Sequence, residues 1–279
     1  NSIVPSALDT LHKLKENGHF VAIATGRTHY KARKFLDEVG LEDMVCAGGG
    51  ALVFHHELIK NTPLEIHACK TILNQVEQLG YGYVLQLDDS IKVYSKDELF
   101  VQQCGGRKEP TEYIVQSDLD YRILDTIYKM YISIPAQEEY KLSTKDLLGH
   151  LRFVQEYLMF QYDEKHQGIV DMMEYVHGDL KDVVVFGDDT NDEVMFDPQW
   201  TSIAMGNATE SLKEKADFYF DTPVLSVTHS GDTYYIHTEN GDFSCTNCIV
   251  SVGRSGSKWM EQVCRELDIP TKSNRVDIG

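Results

Sequence analysis

Apolar residues in this chain come in two textures, and the change from one to the other marks its organisation. Three short unbroken runs, Phe20-Val21-Ala22-Ile23-Ala24, Met44-Val45-Cys46-Ala47 and Val183-Val184-Val185-Phe186, are rich in small and β-branched residues. Such runs read as strands of a parallel sheet, the first and last buried on both faces. Helical spacing lies between and around them. Ala7, Leu8, Leu11 and Leu14 form one stripe, with Ser6 as its N-cap and Gly18 as its stop, and a second helix is expected from about His29 to Val39, closed by Gly40. Strand alternating with helix predicts right-handed βαβ units. A hairpin is expected where Leu52-Val53-Phe54 and Leu58-Ile59-Lys60 flank His55-His56-Glu57.

From about Pro63 the texture changes. Helical patterns near 65–79, 121–127 and 146–156 are interleaved with alternating segments at 83–87, 91–94 and 129–134, with no continuous buried run. This mix predicts an α+β insertion, an antiparallel sheet with helices on one face, ending near Gln161. The parallel pattern resumes with a helix over 168–175, the strand at 183–186, a short strand at 202–205 and a helix over 210–215. From about Leu225 it changes again. Segments 232–238 and 243–252 alternate around Asn240-Gly241, a strong hairpin signal, and a helix is expected near 259–267. No internal repeat and no low-complexity segment is present.

Composition narrows the class. The 279 residues are 42% hydrophobic and 25% charged, as expected for a soluble globular protein of one large or two ordinary domains. A net charge of -18 argues against nucleic acid as a partner, because a phosphate backbone needs clustered Lys and Arg. It leaves room for a small phosphorylated molecule, since a few local cations and a metal invert the field within one pocket. No apolar run approaches membrane-spanning length and no signal-peptide pattern opens the chain, so no membrane partner is expected. Six scattered cysteines point to a reduced, cytoplasmic setting. Cys245-Thr-Asn-Cys248 has redox or zinc spacing, but with no second pair and no nearby His pair an ordinary structural role is favoured. The chain opens at Asn1-Ser2-Ile3 without an initiator Met and ends at Asp277-Ile278-Gly279, and both ends read as cut.

Candidate chemistry collects at strand ends. Gly187-Asp188-Asp189-Thr190-Asn191-Asp192 follows the 183–186 strand, and ligands of open α/β sheets bind just beyond carboxyl ends of strands. Crowded carboxylates repel unless a cation sits among them, and all-oxygen ligands suit Mg2+. The alternative is an Asp/Asn-rich turn that caps the next helix. Thr25 tops the strand at 20–24 and offers a hydroxyl, Gly26 permits close backbone approach, and amides at the start of the following helix attract phosphate. Lys165 stands just before Gly168-Ile169, where an ammonium neutralises a phosphoryl group. Taken singly, Thr25 reads as a helix cap and Lys165 as a solvated surface residue. Taken together, hydroxyl, cation, amides and metal clamp are the parts of phosphoryl transfer.

At these residues the sequence resembles the haloacid dehalogenase-like hydrolases, in particular the Cof-like phosphatases of subclass IIB. Ala24-Thr25-Gly26-Arg27-Thr28 resembles their second motif, Lys165-His-Gln-Gly168-Ile169 the third, and Gly187–Asp192 with Met195 the fourth. Ala204-Met205-Gly206-Asn207-Ala208 resembles the segment that follows. The resemblance spans about 1–222 and implies an α/β fold: a Rossmann-like parallel-sheet core (1–62 and 162–222), an inserted α+β cap (63–161) and a C-terminal hairpin and helix (223–279). It implies a Mg2+-dependent phosphatase of small phosphorylated metabolites such as sugar phosphates. Thr25 and Lys165 would hold the phosphoryl group, with Gly26, Arg27 and Asn191 at the substrate. Asp188 and Asp192 would serve the metal, and the cap would set specificity. The three motifs are expected to converge at one end of the parallel sheet.

One departure stands against this. The family's nucleophile and general acid lie in a DxDGT motif on a first strand, and no DxDG occurs in these 279 residues. A phosphoaspartyl step needs that carboxylate, so the chain is expected to be inactive, and strands neighbouring the missing one are expected to have unpaired edges. Residues 247–256, 259–260 and 274–279 resemble an internal piece of FAD-dependent NAD(P)-linked dehydrogenase-like flavoproteins, without a GxGxxG fingerprint. Two further readings therefore stand beside the phosphatase: a fragment of an FAD-dependent oxidoreductase, and a non-catalytic phosphate-ligand binder.

Overall fold

The first helix starts earlier than a Ser6 cap predicts. In the computed structural model, which describes residues 3–219, 222–239, 241–250 and 256–271, α1 runs from Pro5 to Glu16. Val4 is the N-cap, and Ser6 lies inside the first turn with its carbonyl accepting the Thr10 hydroxyl at 2.8 Å. Proline explains the shift: its fixed φ is already helical and it has no N–H to cap. The chain divides into two compact units, residues 1–183 and 184–279.

In the first unit β1 (Ala22–Ala24), α2 (His29–Glu38) and β2 (Asp43–Cys46) form the expected parallel βαβ unit, with Ile23 opposite Met44. β3 (Ala51–Phe54) and β4 (Glu57–Asn61) return antiparallel through His55 and His56, both at positive φ. Leu36 of α2 and Leu8 and Leu11 of α1 pack with Met44 and Val53 on one face of this sheet.

The following segment contains α3 (Ile66–Leu79), β5 (Tyr83–Gln86), β6 (Lys92–Ser95), α4 (Leu99–Cys104), β7 (Glu112–Val115), β8 (Lys129–Ile132), β9 (His150–Leu151) and β10 (Leu158–Phe160). Its six strands run in the order β7-β6-β5-β8-β10-β9, antiparallel except for the parallel pair β6–β7. Helices cover both faces, not one. Ile72, Leu73 and Val76 of α3 pack with Leu85, Met130, Ile132 and Phe160, while Phe100 and Cys104 of α4 pack with Val84, Tyr131 and Met159. Strands covered on both sides are buried throughout, which the alternation had not suggested.

Two helices predicted in this region are absent. Over 121–127 only a 3-10 turn forms (Tyr121–Ile123), capped by Asp120 at the Arg122 N–H, and Tyr121 and Ile127 reach the core from its two ends. Over 146–156 there is a 3-10 turn at Lys145–Leu147 and then β9. Gly149 takes up close pairing with the chain at 161–163, accepting the Gln161 N–H at 3.0 Å where a Cβ would meet Asp163 at 2.9 Å. α5 (Lys165–Tyr175) begins at Lys165 and covers the second face of the first sheet, with Met172 packed among Val45 and Leu52.

In the second unit β11 (Val184–Gly187), β12 (Thr201–Ala204) and β13 (Phe218–Tyr219) make a parallel sheet, with α6 (Glu210–Lys213) between the last two. The tail is a three-stranded antiparallel meander where a hairpin was expected: β14 (Val224–Ser230), β15 (Thr233–Thr238) and β16 (Gly241–Cys245). β16 ends at Cys245, short of the expected 252. Asn240 of the turn, residues 251–255 and residues 274–279 of the flavoprotein-like segment lie outside the described residues. α7 (Ser257–Glu266) docks on β14 through a hydrogen bond from Trp259 Nε1 to the Leu225 carbonyl (3.2 Å). Among the described residues no helix is long and apolar enough to cross a membrane.

β1 and β11, expected to be buried on both faces, are edge strands. Among the described residues β1 pairs only with β2 and β11 only with β12, so each keeps one open edge. Ala22 and Ala24 are exposed, and Val184 and Phe186 are 50% and 52% exposed.

Candidate active site

A pair of glycines brings Thr25 and Lys165 to one place in the first unit. Thr25 follows β1, and its carbonyl accepts the Gly48 N–H at 3.2 Å; the Gly48 carbonyl in turn accepts the Glu164 N–H at 2.7 Å. Gly48 and Gly49 have φ of +69° and +98°, and a Cβ on either would fall 1.8 Å from the Tyr162 carbonyl oxygen or 2.1 Å from that of Glu164. Only glycine permits this approach. Gly168 completes the packing one turn into α5, where a Cβ would meet Val45 Cγ1 at 2.6 Å. The N-terminal end of α5 is thereby pressed against the loop after β2, and the loop after β1 lies one hydrogen bond away.

Thr25 Oγ1 accepts the Arg27 N–H at 3.2 Å, which curls Thr25-Gly26-Arg27 around the hydroxyl. Arg27 itself is exposed. Lys165 is only 2% exposed, so its ammonium is not the solvated surface group that a lone lysine suggests. Burial pushes the neighbouring Asp163 carboxyl up, and the charge of Lys165 opposes that shift.

The start of α2 differs from expectation. Its amides were to attract phosphate, yet the Tyr30 N–H already donates to Asp89 Oδ1 at 2.9 Å, and His29 Nδ1 pairs with Asp89 Oδ2 at 2.6 Å. A carboxylate of the protein occupies the anion position of this helix end.

The acidic loop belongs to the second unit. The Asp188 N–H donates to Asp192 Oδ2 (3.2 Å), and Asp188 Oδ2 accepts from Asn207 Nδ2 (3.1 Å). The Asp188 carbonyl accepts the Thr209 N–H (3.1 Å), which ties the loop after β11 to the loop after β12. A Cβ on Gly187 would meet that of Asp192 at 2.8 Å, so glycine lets the 3-10 turn Thr190–Met195 fold back over the strand end. Asp188 and Asn191 are exposed, and Asp192 is half-buried. The alternative reading survives in part: Asp189 does cap the turn, with Oδ1 accepting the Thr190 N–H at 2.7 Å.

Several polar residues in each unit are not evident from the sequence. Asn207 lies in a quoted motif, but its contact with Asp188 is set by the fold. Lys129 is buried, and its Nζ donates to Gln161 Oε1 (2.7 Å) and to the Gly26 carbonyl (3.3 Å). Burial, then the nearby Arg107 charge, lowers its pKa to about 8. Arg107 stacks over the Tyr131 ring at 4.1 Å and pairs with Glu109. The available signal was a lysine heading the run Lys129-Met130-Tyr131-Ile132, where a solvent-facing position was the natural reading.

The profile of the haloacid dehalogenase-like hydrolases matches residues 1–224. The chain belongs to that family. It is 29% identical over 231 residues to the Bacillus subtilis (strain 168) protein named "Putative phosphatase YkrA", covering 78% of this chain and 84% of that protein. The structure of a hypothetical protein from Geobacillus kaustophilus HTA426 superposes with a TM-score of 0.63 at 25% identity, covering 78% and 86% of the two chains. A HAD subclass IIB sugar phosphatase shares the fold, with a TM-score of 0.58 at 19% identity over 77% and 85%.

Proposed function

We propose that the site is that of a cytoplasmic phosphoric monoester hydrolase of small phosphorylated metabolites such as sugar phosphates, working through a phosphoaspartyl step whose nucleophile these 279 residues lack. The carrying observation is the glycine-mediated approach of the Thr25 loop to the start of α5. It brings the backbone of the Thr25 loop and the start of α5, which carries the buried Lys165, near one another, and a hydroxyl with an ammonium suits phosphoryl oxygens. In this reading Thr25 donates to one phosphoryl oxygen, Lys165 neutralises another, and the Gly26 and Arg27 backbone lies against the group. Asn191 orients the metal site, and the α+β segment 63–161 is the cap over the leaving group.

Mg2+ is the metal the family implies. Asp188 and Asp192 offer hard oxygen donors within one hydrogen-bonded turn, which fits an ion held by one or two carboxylates with substrate oxygens and water. Among the described residues no group of three His, Cys, Asp or Glu side chains is placed to hold a metal ion. When bound, the ion offsets negative charge on the phosphoryl oxygens.

The covalent step of the family needs an aspartate that these 279 residues lack in the required motif. The chain is therefore expected to bind inorganic phosphate with Mg2+ but to release none from p-nitrophenyl phosphate. That lack favours a phosphate-binding role for the chain by itself. Metal-dependent phosphate release would show that another carboxylate serves as nucleophile, and failure to bind phosphate would remove both readings. The flavoprotein reading of the tail rests on residue resemblance alone. A flavin absorbance band in the purified protein would support it.

A further inference from the structure

A cavity in the first unit, beside the Thr25 loop, is lined by Thr28, His29, Gln86, Asp88, Asp89 and Lys129 among others. Most of its polar atoms are spoken for. Asp89 holds His29 and the Tyr30 amide, while Asp88 accepts the Tyr94 hydroxyl at 3.0 Å and the Ser90 hydroxyl. Gln86 differs. It is 1% exposed and its Nε2 donates to the Ser90 carbonyl at 3.0 Å, yet its buried Oε1 has no partner among the described residues. Gln86 pairs in register with Lys129 on the neighbouring strand, so both side chains leave the same face of the sheet. Two of the three N–H donors of Lys129 go to Gln161 Oε1 and to the Gly26 carbonyl, one residue from Thr25.

We infer that Gln86 and Lys129 form a leaving-group subsite that selects a neutral hydroxyl and rejects a second anion. This rests on the phosphatase reading above. A buried amide oxygen without a donor is costly, and a ligand hydroxyl satisfies it while accepting from the remaining Lys129 N–H. A carboxylate or a dianionic phosphate can accept from Lys129 but has no hydrogen to give Gln86. Charge acts in the same direction. Asp88 and Asp89 line the cavity with the one ammonium of Lys129. Two carboxylates against one ammonium make this lining unfavourable for an added anion. Gln86 and Lys129 are thus specificity-determining residues, separate from the groups that hold the transferring phosphoryl.

Calorimetric titration of the full chain in the presence of Mg2+ tests this with three probes: glucose 6-phosphate, 3-phosphoglycerate and inorganic phosphate. Glucose 6-phosphate should bind about tenfold more tightly than either of the others, and Gln86→Leu should reduce that preference about fivefold. Gln86→Glu, which keeps an acceptor for the hydroxyl, should retain it. If Gln86→Leu fails to fold, the wild-type preference and Gln86→Glu decide the matter. Equal binding of all three probes, or tighter binding of 3-phosphoglycerate, overturns the subsite and leaves the phosphatase reading standing. Binding of none of the three overturns both.

Discussion

Glycine at position 49 is required by proximity as well as by conformation. Gly49 and Gly18 both have positive φ, but a Cβ at 18 meets nothing within 4 Å, whereas one at 49 would fall 2.1 Å from the Glu164 carbonyl oxygen. Gly18→Ala should therefore cost only the left-handed backbone penalty, about 1 kcal/mol. Gly49→Ala should cost about 3 kcal/mol, because α5 must back away from the loop after β2. Urea denaturation of the two variants measures the difference, and equal losses would show that the approach is soft. Lys129 gives a second residue-level expectation. Its folded pKa of about 8 lies below the ordinary 10.5, so the unfolded chain binds the proton more tightly. The fold bears a constant penalty below pH 8 and sheds it as pH rises through 8 toward 10.5. Over that window wild type should gain up to about 3 kcal/mol relative to Lys129→Met, which has no proton to lose there. A flat difference between the two unfolding curves would show that the ammonium is better solvated than its surroundings indicate.

At the scale of elements, β1 and β11 show what hydrophobic pattern reveals and what it hides. Both are found where their apolar runs place them, and both end in the expected motif. Burial is another matter, because a run that suits the middle of a sheet says nothing of whether a neighbour is there to cover it. An open edge carrying Val184 and Phe186 half exposed is a template for pairing with another chain. Phe186→Lys should reduce concentration-dependent association in sedimentation velocity, and unchanged association would place the contact elsewhere. The helices expected over 121–127 and 146–156 fail for a different reason. Tyr121 and Ile127 are buried at a spacing that imitates a helical stripe, and Gly149 is committed to a pairing partner twelve residues onward. The catalytic motifs are legible because a few residue types at fixed spacing carry them. Gln86 and Lys129 are not, since polar residues in alternating strands read as solvent-facing until a packed partner surrounds them.

At the scale of the whole molecule, the question is what residues 225–279 contribute. The family match ends at residue 224, where β14 begins. The tail satisfies most of its backbone locally: β14 pairs with β15, β15 with β16, and α7 is fastened to β14 through Trp259. Three strands with a helix on one face are enough for a small unit to hold its own fold, where a lone hairpin would be marginal. Val227, Val263 and Cys264 are all buried there. An alternative arrangement would have residues 249–252 pair as a strand in an open slot of the parallel sheet. In the described part of that segment, Ile249 is 92% exposed and no strand forms through residue 250. A local meander with its own helix pairs its backbone by itself, and in the phosphatase reading none of its residues belongs to the site. Deleting 225–279 should therefore leave the affinity for inorganic phosphate in the presence of Mg2+ within about twofold of the full chain, measured by calorimetry. Thermal melting of the shortened chain followed in parallel separates loss of the fold from loss of the site. If the shortened chain stays folded yet no longer binds phosphate, the tail supplies part of the site, and pairing of 249–252 with the parallel sheet becomes the better account.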